Sequence, residues 1–289
     1  MPTSATRSPH EPELDPFFTF DYRPVDAPEE PGDGRRPTTY WSVDRSSRGP
    51  EPLPDWVVLD AGAVDTDLGV LKTGKEADVL LLERAATDGS GETALMAAKR
   101  YRDEDHRSFH RSAVYLEGRG VRRSRDQRAL ARRSAYGREL AAGRWAWAEW
   151  RALCTAWSAG LPVPYPVSVQ GSELLLEYIG SPSGEAAPRL AGTRPEPDLL
   201  AHCWEQVSDL VVSLAELGLA HGDLSPYNLL LHEDVVVAID LPQVVDVVAN
   251  PSGPELLHRD CRNVATWFAA RGCAADGDEL FARAVAAAL

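Results

Sequence analysis

Little in this chain offers a covalent or membrane anchor. Its four cysteines, Cys154, Cys203, Cys261 and Cys273, lie far apart with no Cys-x-x-Cys pair. That spacing suggests neither a zinc site nor a disulfide framework, and the thiols read as reduced residues of a cytosolic protein. No apolar run approaches the ~18 residues that a membrane span needs, and the opening MPTSATRSPHEPELDP has no apolar core of a signal peptide. The expected location is therefore cytoplasmic, with no membrane partner. Positive charge is scarce as well: 30 Lys+Arg against 44 Asp+Glu give a net charge of -14, which excludes a general coat for nucleic acid or for an anionic membrane. Lysine is scarcest of all, with only Lys72, Lys75 and Lys99 among those 30 basic residues, so the position of each lysine carries information.

What is present is ordinary globular material. At 289 residues, with 44% hydrophobic and 26% charged side chains, the chain is long enough for one two-lobed unit plus a tail. Residues 1–55 are rich in Pro, Gly, Ser, Thr and acidic residues and poor in aliphatics, which predicts a flexible N-terminal arm, with Phe17–Phe20 and Tyr40-Trp41 as aromatic islands able to dock. From Trp56, short apolar runs bounded by Gly, Asp or Ser predict antiparallel strands and a small β-rich lobe over 56–180. Between Asp103 and Gly143 the chain turns polar and arginine-rich, as expected of a loop running into a helix. WAWAEWRALCTAW at 145–157 has the apolar spacing of an amphipathic helix. A second, mostly helical lobe is expected over 181–289, opening with a helix capped by Asp198 and carrying two short β-like runs at NLLLHEDV and VVVAIDL.

The chemistry-bearing segment is His221-Gly222-Asp223-Leu224-Ser225-Pro226-Tyr227-Asn228, followed by Ile239-Asp240. An Asp, an Asn five residues later, and a second Asp at the end of the next apolar strand form the constellation of kinase-type phosphoryl transfer. Asp223 would face an acceptor hydroxyl, while Asn228 and Asp240 present the oxygens that Mg²⁺ prefers. Such chemistry also needs an ammonium on the phosphates and a carboxylate to hold it. Lys99 closes the run LMAAK, and Glu149 stands on the helix that follows, although Glu139 precedes the same helix. Between two earlier apolar runs, Lys72-Thr73-Gly74-Lys75-Glu76-Ala77-Asp78-Val79 offers adjacent N–H groups, a hydroxyl and an amine that can cradle phosphate. It matches neither a P-loop nor the Gly-x-Gly-x-x-Gly of ordinary protein kinases, and a plain hairpin turn would look similar.

Several segments together resemble the RIO-type atypical serine/threonine protein kinases, in their RIO1-like branch: TGKEADV at 73–79, AAKRY at 97–101, WAEWRAL at 147–153, LLLEYIG at 174–180, AHGDLSPYNLLL at 220–231, VVAIDLPQ at 237–244 and HRDCRNVATWF at 258–268. The resemblance spans about residues 65–275. It implies an α+β, bilobal protein-kinase-like fold with a truncated C-lobe, binding ATP and a divalent metal (Mg²⁺, or Mn²⁺) in the cleft. Thr73, Gly74, Lys75, Glu76 and Ala77 would form the phosphate loop, and Lys99 the phosphate-anchoring lysine held by Glu149. Glu177 and Ile179 would receive the adenine, Asp223 would be catalytic, and Asn228 and Asp240 would hold the metal. About 49 residues follow Asp240 and no Ala-Pro-Glu occurs, in keeping with a family that lacks the activation segment.

Pro226 and Leu241-Pro242 depart from that family's frequent Glu and Val-Ser, which leaves the acceptor open. The expected partners are ATP and an unidentified protein substrate, the chain itself included. The arginine-rich loop 119–138 could meet nucleic acid or a ribosome, but neither is predicted. The arginine skew and compact length look bacterial, so the ribosome-maturation role of eukaryotic members is not carried over. Two other functions fit the same motifs: a small-molecule phosphotransferase like those for aminoglycosides or choline, and a slow ATPase whose nucleotide gates a macromolecular contact.

Overall fold

The protein is described from a computed structural model, which places residues 19–20, 34–102, 120–121 and 135–289. Most of the arginine-rich loop 119–138 lies outside these residues. The N-terminal half is a six-stranded antiparallel sheet in the order β1-β2-β3-β4-β6-β5. Its strands are β1 (Arg35–Pro37), β2 (Val64–Thr73), β3 (Ala77–Ala85), β4 (Thr93–Tyr101), β5 (Pro166–Gln170) and β6 (Glu173–Glu177). Runs such as ADVLLLERA and TALMAAKRY suit a pleated, mostly covered surface. Between β2 and β3 the chain reverses at Gly74, whose N–H reaches Ala77 O at 2.9 Å. A Cβ there would stand 2.8 Å from the same carbonyl, so the turn needs glycine for close approach.

Helix α1 (Ala135–Ser158) packs across β4, β5 and β6 with Trp150, Leu153 and Ala156 buried. After β6 the chain enters the second half: α2 (Pro197–Glu216), β7 (Leu219–Ala220), the hairpin of β8 (Leu229–His232) and β9 (Val235–Ala238), β10 (Val245–Asp246), α3 (Gly253–Ala269) and α4 (Gly277–Ala288). Leu200, Cys203, Val207, Leu210, Val211 and Leu214 bury the helical stripe expected of α2. Asp198 does not cap it: Glu196 holds the N-cap position and Pro197 opens the helix, which puts Asp198 in the first turn, where a negative charge still favours the helix dipole. The two β-like runs pair as β8 and β9 through a two-residue turn, Glu233-Asp234, with both φ positive.

Composition assigned residues 1–55 to a flexible arm, but residues 34–55 cover the outer face of the sheet. β1 extends the sheet beside β2. Tyr40 is 4% exposed and clusters with Leu80, Leu82, Met96, Tyr165 and Val167. Backbone groups reinforce this: Gly49 N–H reaches Val167 O at 3.0 Å, and the Tyr165 hydroxyl donates to Pro50 O at 3.0 Å. A few well-placed aromatics and backbone bonds outweigh the low aliphatic content of the segment. Phe17 and Phe18 lie outside the described residues.

Candidate active site

The two halves meet at a cleft of about 540 Å³. Its roof includes Gly74, Lys75, Glu76 and Ala77 from the β2–β3 turn. Lys99, Glu149 and Asp240 stand at one end, and Glu177 and Ile179 line the segment joining the two halves. Thr73 lies outside the lining, as do Asp223 and Asn228.

The Lys99 ammonium is the centre of the charge arrangement. β4 carries it inward at a point paired with Val79 and Leu174. Its Nζ lies 2.7 Å from Glu149 Oε1 and 2.5 Å from Asp240 Oδ1. Burial alone would favour the neutral amine, yet Asp240 and Glu149 together hold its pKa above that of an ordinary lysine. In return, the Lys99 charge holds Asp240 down at about 2. Glu149 is 1% exposed and serves three donors: Lys99, the Tyr101 hydroxyl at 2.5 Å and the Leu241 N–H at 3.1 Å. Burial and the neighbouring Glu149 push the Tyr101 phenol well up, so it stays a donor. The sequence reading missed Tyr101, although its place two residues beyond Lys99 on a strand puts both side chains on one face. Glu139 belongs to α1 too, but its side chain is not described; Glu149 is the glutamate that meets Lys99.

Asp240 has φ +69, a left-handed conformation that a residue with a Cβ adopts only under constraint. The Leu241 N–H to Glu149 bond on one side and the Ile239 N–H to Asn228 O bond, 3.0 Å, on the other hold it there. The latter also brings Asn228 beside the end of β9. Asn228 Nδ2 donates to Asp223 O at 2.9 Å, which leaves its oxygen outside that bond.

Asp223 is exposed, and its loop is fastened from behind by α3. Gly222 N–H and Leu224 N–H donate to the two oxygens of Asp260, at 2.7 and 2.9 Å. Arg259 donates to Gly222 O, and Asn263 Nδ2 to Leu224 O at 3.3 Å. Burial pushes the Asp260 carboxyl up to about 7, against the opposing pull of those two N–H groups. These three side chains belong to HRDCRNVATWF, which the sequence reading quoted as a motif without giving its members a role. Their task shows only when α3 is folded against the loop. His221 is buried, with Nε2 3.1 Å from Ile239 O and Nδ1 without a partner among the described residues; burial lowers its pKa, so the ring is neutral near pH 7.

At the joining segment, Glu177 turns its carboxylate back onto Tyr165 N–H at 2.9 Å, and burial raises its pKa. Glu76 lines the cleft within electrostatic reach of Asp240 and Asp223: partial burial first, then Asp240, raise its pKa.

A sheet-built lobe joined to a helical lobe, with a lysine ion-paired across the cleft between them, defines a bilobal kinase-like phosphotransferase fold. The RIO domain family matches residues 86–280. The chain is 37% identical over 224 residues to the RIO-type serine/threonine-protein kinase Rio1 of Haloferax volcanii, covering 78% of this chain and 70% of that protein. It is 30% identical to the serine/threonine-protein kinase RIO1 of Chaetomium thermophilum, covering 74% of this chain and 41% of that longer protein. Among solved structures, the Rio2 kinase of Chaetomium thermophilum shares the fold with a TM-score of 0.53 at 20% identity, over 76% of this chain and 67% of that one. The chain therefore belongs to the RIO kinase family. No helix among the described residues is long and apolar enough to cross a membrane.

Proposed function

We propose that this chain transfers the γ-phosphate of ATP to a serine or threonine hydroxyl of a protein, itself included, with Mg²⁺ (or Mn²⁺) as the divalent ion. The observation that carries this reading is the Lys99 ammonium shared between Glu149 and Asp240, carboxylates from the two sides of one cleft. Lys99 neutralises phosphate charge, and Glu149 aims it, itself fixed by Tyr101 and the Leu241 N–H. The turn at Gly74–Ala77 closes over the phosphates and excludes water, and Glu177 and Ile179 take the adenine end. Asp223 orients the acceptor hydroxyl and accepts its proton, held in place through Gly222 and Leu224 by Asp260.

Asn228 and Asp240 would hold the metal, and both offer hard oxygen atoms. Among the described residues no group of three or more His, Cys, Asp or Glu side chains makes a metal cage. That suits Mg²⁺, which takes one or two protein oxygens and completes its shell with phosphate and water. The ion would supply charge neutralisation between the phosphates.

The test is incubation of the whole chain with Mg²⁺ and radiolabelled ATP, alone and with a generic basic protein acceptor, beside Asp223→Ala. Label on protein that is lost in the variant is the expected result. Phosphate released only to water would overturn it in favour of a nucleotide-gated module, and phosphate on small molecules alone in favour of a small-molecule kinase.

A further inference from the structure

Two cations of the cleft are left over by this scheme. Lys72, at the end of β2, and Arg189, in the stretch between the joining segment and α2, line the same cleft from its two sides. Lys72 has no ion pair or hydrogen bond among the described residues, in contrast to Lys99 with its two carboxylates. Partial burial first, and then the charge of Arg189, lower the Lys72 pKa, while Asp240 works the other way. Its ammonium is thus within electrostatic reach of Arg189, Asp240 and Lys99 at once. Arg189 is anchored at both levels of its structure. Its backbone bridges to Leu230 in β8, and its Nη1 donates to Tyr227 O at 2.5 Å. That acceptor is a carbonyl, so the bond orients the guanidinium without neutralising it, and the remaining N–H donors of the fork stay uncommitted among the described residues.

Lys72 and Arg189 face one cleft as like charges, and Asp240 and Glu149, already engaged by Lys99, offset their repulsion only in part in the empty protein. The arrangement becomes favourable when an anion lies between them. We propose that Lys72 and Arg189 form a cross-cleft clamp on the polyphosphate chain of the bound nucleotide, drawing the β2 edge of the upper lobe down onto the lower one. The clamp rests on the reading of the cleft as a nucleotide site. It is separate from the Lys99 anchor, because Lys99 is already paired with Glu149 and Asp240. Its position near Asp240 selects the phosphate chain over the acceptor as the ligand, and an ammonium and a guanidinium recognise charge rather than base identity.

The experiment is calorimetric titration of the whole chain with ATP, ADP and adenosine, for wild type, Lys72→Met, Lys72→Arg and Arg189→Met, at low and high salt. Each methionine variant is expected to lose about tenfold in affinity for ATP and for ADP, the size of one charge-assisted contact. Adenosine affinity should stay at the wild-type value, which also reports that each variant is folded. Lys72→Arg should restore ATP binding, and the salt dependence of ATP affinity should flatten in both methionine variants. ATP and ADP affinities within twofold of wild type in Lys72→Met, or adenosine affinity falling in parallel with ATP, would overturn the clamp while leaving the nucleotide site standing. A wild-type chain that binds none of the three would overturn the nucleotide reading, and the clamp with it.

Discussion

Removing the Glu149 carboxylate would strand the Tyr101 hydroxyl and the Leu241 N–H and leave the buried Lys99 ammonium with Asp240 as its one remaining carboxylate. Glu149→Ala is therefore expected to lower the unfolding free energy by about 3–5 kcal/mol, the cost of breaking a buried ion pair from one side. Urea denaturation at pH 7 measures it, and Glu149→Gln, which keeps the shape and one acceptor, should lose less. His221 makes a second residue-scale prediction. Its folded pKa lies below the ordinary value near 6.5, so the unfolded chain binds a proton that the folded chain refuses. The contribution of His221 is fully present above about pH 6.5 and is lost as the pH falls below it. Relative to His221→Gln, wild type should lose stability between pH 7 and pH 5; an equal pH slope in the two proteins would show that the ring is not held neutral.

At the scale of elements, α3 acts on a loop it does not belong to. Asp260 ties down the N–H groups on either side of Asp223. Asp260→Ala is expected to reduce kcat by roughly 10²-fold, the loss typical of a misplaced catalytic group, with the affinity for ATP unchanged. Steady-state kinetics beside a nucleotide titration separate the two quantities. This element also marks how far the sequence could be read. The Asp223, Asn228 and Asp240 pattern was legible because its spacing follows from a short loop and a hairpin, both local. Lys99 and Glu149 were legible as residue types on a strand and a helix, and only register favoured Glu149 over Glu139 until α1 was seen against β4. Asp260, Arg259 and Tyr101 were not assigned, since what they touch lies in other elements and no local spacing encodes the meeting. Residues 34–55 were misread for a related reason: a segment that borrows its apolar partners from a distant sheet looks, by its own composition, unable to fold.

On the scale of the whole molecule, the cleft is spanned by the Lys99–Asp240 pair and the Glu149–Leu241 bond, so a ligand that fills it should stabilise both lobes together. ATP at a hundred times its Kd is expected to add about 2.7 kcal/mol to the unfolding free energy, read as a rise in Tm with nucleotide concentration. The packing of residues 34–55 predicts that Tyr40→Ala, which empties the space between Leu82, Met96 and Val167, costs about 3 kcal/mol. A denaturation midpoint unchanged by that substitution would return the segment to the status of a loose arm. The rarity of lysine also has a practical side. All three lysines of the chain, Lys72, Lys75 and Lys99, border the same cleft. Amine-directed chemistry on this protein therefore meets its side chains in one place only. Coupling through lysine to a sensor surface would bind the molecule by its own cleft, whereas isotope-labelled lysine would give three side-chain ammonium signals, each reporting on the occupancy of that cleft with no background from the rest of the fold.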